Sequence, residues 1–376
     1  MTNKIIGIDA TRNHSGGAIE HIKGLISGSD PRDYGITQVH LWSYPNLLDQ
    51  LSVYPWLYKH KYNLESFNIL IQLIWQRFYL NRYAKKYGVE VMFNTNAGTI
   101  CGFQPSVTLS QNMLSFEPGE IKRFPLLSKE RIRLEVLRHV QIYSLKNCQK
   151  ALYLSEYAKN VINSLAKNNN YQVISHGIPN DFHDLELRNN INLSSKIQIK
   201  CLYISNAAPY KHQWNVIEAI SLLKKNTKKN ISLKIIGGGH GASYRKMTKA
   251  AYKNDPLGKF IELVDFLPHD QIISELIKAD LFIFASSCEN LPITLLEAMA
   301  SSIPIISSDK GPMKEILGEG FIYFDPSKIG SIYNALDEII NKKKCIDSLC
   351  ITAKNRSKKY TWKKCSEKTW ELLSSI

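Results

Sequence analysis

Short, almost wholly apolar runs recur along the chain, separated by longer stretches in which apolar positions return at helical spacing. In the first half they read KIIGIDA, TQVHLW, VEVMFN, SVTLS and KALYLS; in the second, KCLYIS, SLKIIGG, FIELVDF, DLFIFAS and IPIISS. Runs this continuous do not suit a sheet with one wet face. They predict parallel strands buried on both sides, with the helical stretches as crossovers. Both halves therefore predict doubly wound α/β domains. A chain of 376 residues also exceeds one comfortable hydrophobic core, so two domains of about 180 residues are expected. The polar stretch NDFHDLELRNNINLSSK predicts the linker, giving a first domain over 1–185 and a second over 196–359.

One segment carries the densest chemistry. Leu281 to Ala285 is wholly apolar and predicts a central strand whose carboxyl end opens into the crevice where such sheets bind ligands. Ser286, Ser287, Cys288 and Glu289 form the exit loop. Pro292 suits the first turn of a helix, and ITLLEAMA continues with good helix formers. The amides of Asn290, Leu291, Ile293 and Thr294 would then sit at the positive end of a helix, a ready phosphate site. Glu297 lies one turn in and leans back toward the helix start, where a carboxylate can accept two hydrogen bonds from a vicinal diol such as a ribose. Glu289 can reach a hydroxyl-rich group on the other side of the phosphates.

Composition narrows the classes. The chain carries 48 Lys+Arg against 33 Asp+Glu, a formal charge of +15. That balance favours an anionic partner: nucleic acid, a membrane surface or a phosphorylated small molecule. An Asn/Lys/Ile-rich compositional bias accounts for it equally well. The aromatic and basic residues form no recognised nucleic-acid motif. Seven cysteines without a C-x-x-C pair argue against a disulfide framework and a structural zinc site, and a reducing, cytoplasmic compartment is expected. The N-terminus has no signal-like apolar segment, and no run approaches the about 20 apolar residues of a membrane span. The glycines of IIGGGHGAS lack the G-x-G-x-x-G spacing and the following acidic residue of a dinucleotide site. Two first-domain stretches, LIQLIWQRFYLNRYAKKYG and KERIRLEVLRHVQIYSLK, mix aromatic and basic residues. Each suits a helix in an anionic bilayer interface or an ordinary helix packed on the sheet.

The string ENLPITLLEAMASSIPII resembles the signature of the family-4 retaining glycosyltransferases, an E-x7-E pair within ExxPxxLxEAMAxGxPxI. The resemblance extends over most of the chain. SNAAPYKHQWNVIEAI is similar to the family's GRLxPxKGxxxLIxA, with Lys211 on the family lysine and Asn206 in place of its arginine. IDATRNHSGGAIEHIKGL places Gly16 and Gly17 where the family closes a loop over the donor phosphates. Gly238, in IIGGGHGAS, falls on the glycine turn beside the base, and Phe266 and Leu267, in VDFLPHDQI, on the loop that wraps it. SEYAKNVI, ISHGIPNDF and GPMKEILGEGFIYFDP match further.

This resemblance implies the GT-B fold, two Rossmann-like domains facing a central cleft, with a C-terminal segment 360–376 crossing back to the first. It implies an acceptor-binding first domain, a nucleotide-sugar-binding second domain, and transfer of a hexose with retention. Glu289 and Lys211 would act at the reaction centre. Gly16, Gly17, Asn206, Gly238, Phe266, Leu267, Asn290, Leu291, Pro292, Ile293, Thr294 and Glu297 would hold the donor. Many relatives carry a histidine after the strand that here reads SVTLSQNM, where this chain has Ser110, Gln111 and Asn112; Gln111 and Asn112 become the acceptor-side candidates. No metal or cofactor is implied. The donor substrate would be GDP-mannose or a UDP-hexose, and the acceptor a saccharide or polyprenyl-diphosphate-linked saccharide of bacterial surface polysaccharide, at or near the membrane. A sugar-nucleotide epimerase of the same fold, a basic nucleic-acid-binding protein and an inactive scaffold are the alternatives.

Overall fold

A computed structural model describes residues 3–13, 16–64, 66–227, 229–341 and 346–376. The chain forms two compact units, Met1–Gly177 with Tyr360–Ile376, and Ile178–Lys359. The first holds seven strands: β1 (Lys4–Asp9), β2 (Ile36–Ser43), β3 (Leu57–Lys61), β4 (Val91–Asn94), β5 (Ser106–Ser110), β6 (Lys150–Tyr153) and β7 (Tyr171–Val173). Their order is β3-β2-β1-β4-β5-β6-β7, and every pairing is parallel. The second unit repeats the plan with β8 (Gln198–Ile204), β9 (Asn230–Ile236), β10 (Ile261–Val264), β11 (Leu281–Phe284), β12 (Ile305–Ser308) and β13 (Ile322–Phe324), ordered β10-β9-β8-β11-β12-β13. Both sheets are doubly wound, and each reverses direction beside its first strand. The two switch points, β1/β4 and β8/β11, are where such sheets open a crevice at their carboxyl ends.

The continuous apolar runs became the inner strands of both sheets and one end strand, β10. All four residues of β11 are buried, because both of its faces are covered by helices and only apolar side chains tolerate that. The apolar pattern did not announce β3, β7 and β13. β3 and β7 are the two ends of the first sheet, where one side of the strand meets water and polar residues such as those of LYKHK are accommodated; β13 is apolar but only three residues long, Ile322–Phe324.

The stretch expected to link the domains is built into the second one. The Arg188 guanidinium donates to the carbonyls of Leu276, Ile277 and Ala279 at 2.5, 3.0 and 2.7 Å. The amides of Asn190 and Ile191 donate to the Asp347 carboxylate at 3.0 and 2.9 Å. Polar sequence here marks hydrogen bonding to a helix end and a carboxylate rather than a free tether, so the unit begins at Ile178.

The helix Trp362–Ser375 belongs to the first unit and packs along the helix Gly17–Gly28. The Trp362 ring occupies the space a side chain at position 24 would need: a Cβ on Gly24 would lie 2.0 Å from it. Thr361 caps this helix, its side chain accepting from the Lys364 amide at 3.2 Å. Trp370 is fully buried, its ring 6.4 Å from that of Trp56.

Candidate active site

In the second unit four loops leave the carboxyl ends of β8, β9, β10 and β11, and they carry the second-domain residues singled out from sequence. The loop after β8 makes a 3₁₀ turn over Pro209–Lys211 and ends at His212, held in the left-handed region at φ 52°. Its register is fixed from beneath. The Tyr203 hydroxyl donates to the Lys211 carbonyl at 2.5 Å; burial pushes that phenol well above its ordinary pKa, so it stays a donor. The Gln213 side-chain amide donates to the Asn206 carbonyl at 2.9 Å. The loops after β8 and β11 are joined: the Ser287 amide donates to the Tyr210 carbonyl at 2.8 Å, and the buried His212 ring meets the Ser287 hydroxyl at 3.0 Å.

That joint brings Lys211 and Glu289 into a direct ion pair, with side chains 12% and 14% exposed. The Lys211 ammonium also lies 5.4 Å from the centre of the Tyr210 ring and 5.8 Å from that of Phe284. A cation so enclosed is poorly hydrated, and its charge acts at short range with little screening. Asn206, five residues earlier, is exposed and supplies hydrogen-bonding capacity without charge.

Beyond Glu289, Asn290 and Leu291 are buried. Pro292 stands at the N-cap rather than inside the first turn, and the helix spans Ile293–Ala300. The first helical bonds run from the Leu295 and Leu296 amides to the Pro292 carbonyl at 3.1 and 3.3 Å. The amides of Ile293 and Thr294 therefore precede the helical ladder and point out of the helix end, where the dipole favours an anion. Glu297 is 2% exposed, and its carboxylate meets His269 Nε2 at 2.7 Å. His269 opens the helix His269–Lys278 after β10, 28 residues earlier in the chain. Sequence reading passed over this histidine, because nothing in VDFLPHDQI says which neighbouring loop its ring will face.

Next to it, Phe266 is 81% exposed and Leu267 half-buried. The glycine turn after β9 has Gly237, Gly238 and Gly239 all at positive φ, 131°, 47° and 135°. It packs so closely that a Cβ at Gly237 would lie 2.5 Å from the Ser205 carbonyl carbon, and one at Gly238 2.8 Å from Asp265 Oδ1. Only glycine allows this approach and this conformation together.

In the first unit, Gly16 is the N-cap of the helix Gly17–Gly28 and adopts φ 58°, ψ −139°, a conformation that glycine alone adopts readily. Gly17 is the first helical residue, and His14 and Ser15 lie outside the described residues. The approach to this turn is pinned by a buried network that the sequence reading missed. The Asp9 carboxylate, at the end of β1, accepts from the Thr11 amide and hydroxyl at 3.1 and 2.6 Å and from the Gln76 side chain at 2.5 Å. Asn13 donates to Thr95 Oγ1 at 3.0 Å and to the Ala18 carbonyl at 3.3 Å. Gln111 and Asn112 are half-buried just past β5. The Asn112 side chain accepts from the Leu114 amide at 2.9 Å, shaping the turn.

Residues 185–359 match the family model described as glycosyl transferases group 1. An uncharacterized glycosyltransferase of Methanocaldococcus jannaschii is 26% identical over 237 residues, 62% of each chain. The O-antigen chain mannosyltransferase B of Escherichia coli is 21% identical over 168 residues, 45% of this chain and 44% of that relative. The chain thus spans less than two thirds of the length of these curated relatives. Among solved structures, Anabaena HepE in complex with UDP and glucose superposes with a TM-score of 0.74 at 14% identity, covering 100% of both chains. That likeness concerns the fold, which is GT-B: two parallel-sheet α/β domains of seven and six strands. Its second domain, whose switch-point loops carry the E-x7-E pair, is thus similar to the group 1 glycosyltransferases.

Proposed function

We propose that the chain transfers a hexose from a nucleotide diphosphate sugar to a saccharide or polyprenyl-diphosphate-linked saccharide acceptor, with retention at the anomeric carbon and without a metal. The observation that carries the proposal is the enclosed Lys211–Glu289 pair beside the outward amides of Ile293 and Thr294 and the buried Glu297, all at one switch point. Such a site offers what a departing nucleoside diphosphate needs. Glu297 accepts the ribose hydroxyls, the helix start and Lys211 take the diphosphate charge, and Phe266 and Leu267 with the Gly238 turn border the base. Glu289 contacts the sugar near the reacting carbon. No second protein base is required if attack is on the front face and the leaving phosphate oxygen accepts the acceptor's proton as the glycosidic bond to phosphate breaks. In the first domain, the family resemblance assigns Gly16 and Gly17 to the donor and Gln111 and Asn112 to the acceptor.

GDP-mannose is the first donor to test, a reading supported by the Escherichia coli relative named an O-antigen mannosyltransferase; the UDP complex of the HepE neighbour supports a UDP-hexose as the second. Bacterial surface polysaccharide is the corresponding product class. The test is a thermal-shift screen with GDP, UDP and their sugars, followed by transfer assays with and without EDTA and by NMR of the product's anomeric configuration. The reading fails if no nucleotide or nucleotide sugar raises the unfolding temperature, and its metal-free clause fails if EDTA abolishes transfer. Conversion of the donor into an epimeric nucleotide sugar without acceptor would establish the epimerase alternative instead.

A further inference from the structure

The second domain holds a cavity of about 840 Å³ at the amino ends of its strands, the end of the sheet opposite the candidate active site. Asp280 and Pro304, which line it, immediately precede β11 and β12. The cavity exists because the two faces of β8 are covered unequally. Ile199, Cys201 and Tyr203 pack into the core with the helices Gln213–Thr227 and Gly241–Asn254. On the other face the shorter helix His269–Lys278 packs on the strand and ends level with Lys200. Asp280 fixes that level: its amide donates to the Lys200 carbonyl at 2.8 Å, and its carboxylate accepts from the Lys200 amide at 2.9 Å. Gln198 and Lys200 lie past the helix end and stay exposed, although β8 is an inner strand. A strand covered along its whole length would be apolar throughout, so the polar start of β8 marks an opening built into the fold.

The opening is cationic. Arg188, Lys196, Lys200 and Lys278 line it against one carboxylate, Asp280. Four to one is a far steeper ratio than the 48 to 33 of the whole chain. Asp280 is nearly buried and holds the Lys196 ammonium at 2.5 Å. A helix C-terminus ordinarily repels anions, because its free carbonyls carry the negative end of the dipole. Here the Arg188 guanidinium takes the carbonyls of Leu276, Ile277 and Ala279, so the helix end presents a cation instead. An adjoining cavity of about 530 Å³ shares Lys200 and Lys278, but its Lys234 is already paired with Glu262 and Glu275 at 3.2 and 2.9 Å. The larger cavity is therefore the better anion site. Asn189, Asn192 and Gln198 add uncharged hydrogen-bonding groups to it, and no aromatic ring is among its described lining residues. It offers a nucleobase nothing to stack on.

We propose that this cavity is a second ligand site, which takes a sugar phosphate: the phosphate lies against Lys200 and Lys278, and the sugar hydroxyls meet Asn189, Asn192 and Gln198. Its volume suits a ligand of that size. Six residues of strand separate Lys200 from Asn206, about 20 Å, so this ligand and a nucleotide in the crevice can bind together. The proposal does not rest on the transfer reading. It is tested by calorimetric titration of the full chain with glucose 6-phosphate, mannose 6-phosphate, inorganic phosphate and glucose, with and without saturating GDP or UDP. Saturable binding of a hexose phosphate is expected, unchanged by the nucleotide, with inorganic phosphate weaker and glucose silent. Lys200→Gln combined with Lys278→Gln should weaken it about 100-fold, about tenfold for each lost charge-assisted contact. Ile197→Glu, at a lining position 93% exposed, should weaken it too by setting a negative charge at the mouth. All three side chains are exposed, so unfolding temperatures without ligand and affinities for nucleotide should match the unaltered protein. Absence of saturable binding by either ester, competition with the nucleotide, equal affinity for inorganic phosphate, or undiminished binding by the double variant overturns the proposal. If no nucleotide binds at all, the transfer reading fails by itself and the variants still decide this one.

Discussion

Removing the Lys211 charge separates what that residue does for the fold from what it does for the reaction. In the structure Lys211 and Glu289 neutralise each other with little access to water. At contact distance and an effective dielectric near 20, their attraction is about 5 kcal/mol, largely offset by the desolvation of both groups. Lys211→Met therefore strands a nearly buried carboxylate and should destabilise the second domain by about 3 kcal/mol. Adding Glu289→Gln removes the stranded charge, and the double variant should recover most of that loss, ending within about 1 kcal/mol of the parent. Transfer should behave differently. If Lys211 takes the charge of the departing diphosphate as proposed, kcat/KM should fall about 100- to 1000-fold without the ammonium, the range seen when one preorganised charge-stabilising group is removed. The double variant should be at least as slow. Urea unfolding gives the first pair of numbers and single-turnover transfer the second. If the double variant regains transfer in parallel with stability, the lysine is a structural counter-ion only, and the assignment of Lys211 to the leaving group is wrong.

Glu297→Gln should raise the dissociation constant of the nucleotide about 100-fold, because two hydrogen bonds to a charged acceptor become bonds to a neutral one; calorimetry with the free diphosphate checks this, and an unchanged affinity refutes it. His269→Ala should raise the same constant more modestly, about tenfold, by releasing the carboxylate it meets at 2.7 Å, with His269→Gln expected to restore part of the loss. Gly24→Ala would place a Cβ 2.0 Å from the Trp362 ring and should lower the unfolding temperature of the first domain by about 5–10 °C. Acid should weaken the same region. His21 and His176 are buried with their Nδ1 atoms 2.8 Å apart, and burial holds His21 down to about 4 and His176 well below its usual range. The unfolded chain takes up those protons first, so stability is full above about pH 6.5 and declines as pH falls toward 4. The His21 shift alone corresponds to about 3 kcal/mol. His21→Phe should flatten that decline in a pH series of urea melts, and an unaltered slope would show that the pair is not its source.

The sequence by itself determined the α/β class, the inner strands and the helix that starts just past Leu281–Phe284. Each depends on information that is local in the chain. A strand covered on both faces must be continuously apolar, as Leu281–Phe284 is. A helix that starts at a strand's carboxyl end must present unpaired amides, as Ile293 and Thr294 do. Edge strands β3 and β7 stayed illegible because water on one side relaxes the pattern, and β13 because three residues are too few to show one. The polar stretch around Arg188 was misleading for a related reason: hydrogen bonding to distant carbonyls and exposure to solvent demand the same residue types. Tertiary structure alone decided the pairings across the sheet order. Lys211 meets Glu289 from 78 positions away, His269 meets Glu297, Gln76 meets Asp9, and Trp362 fills the space beside Gly24. No spacing along the chain encodes these contacts, since they arise only when parallel strands bring the ends of separate crossovers to one edge. The same holds for the exposed ridge of Ile74 and Phe78: a helical repeat states that two faces differ, and only the packed sheet decides which one is left exposed.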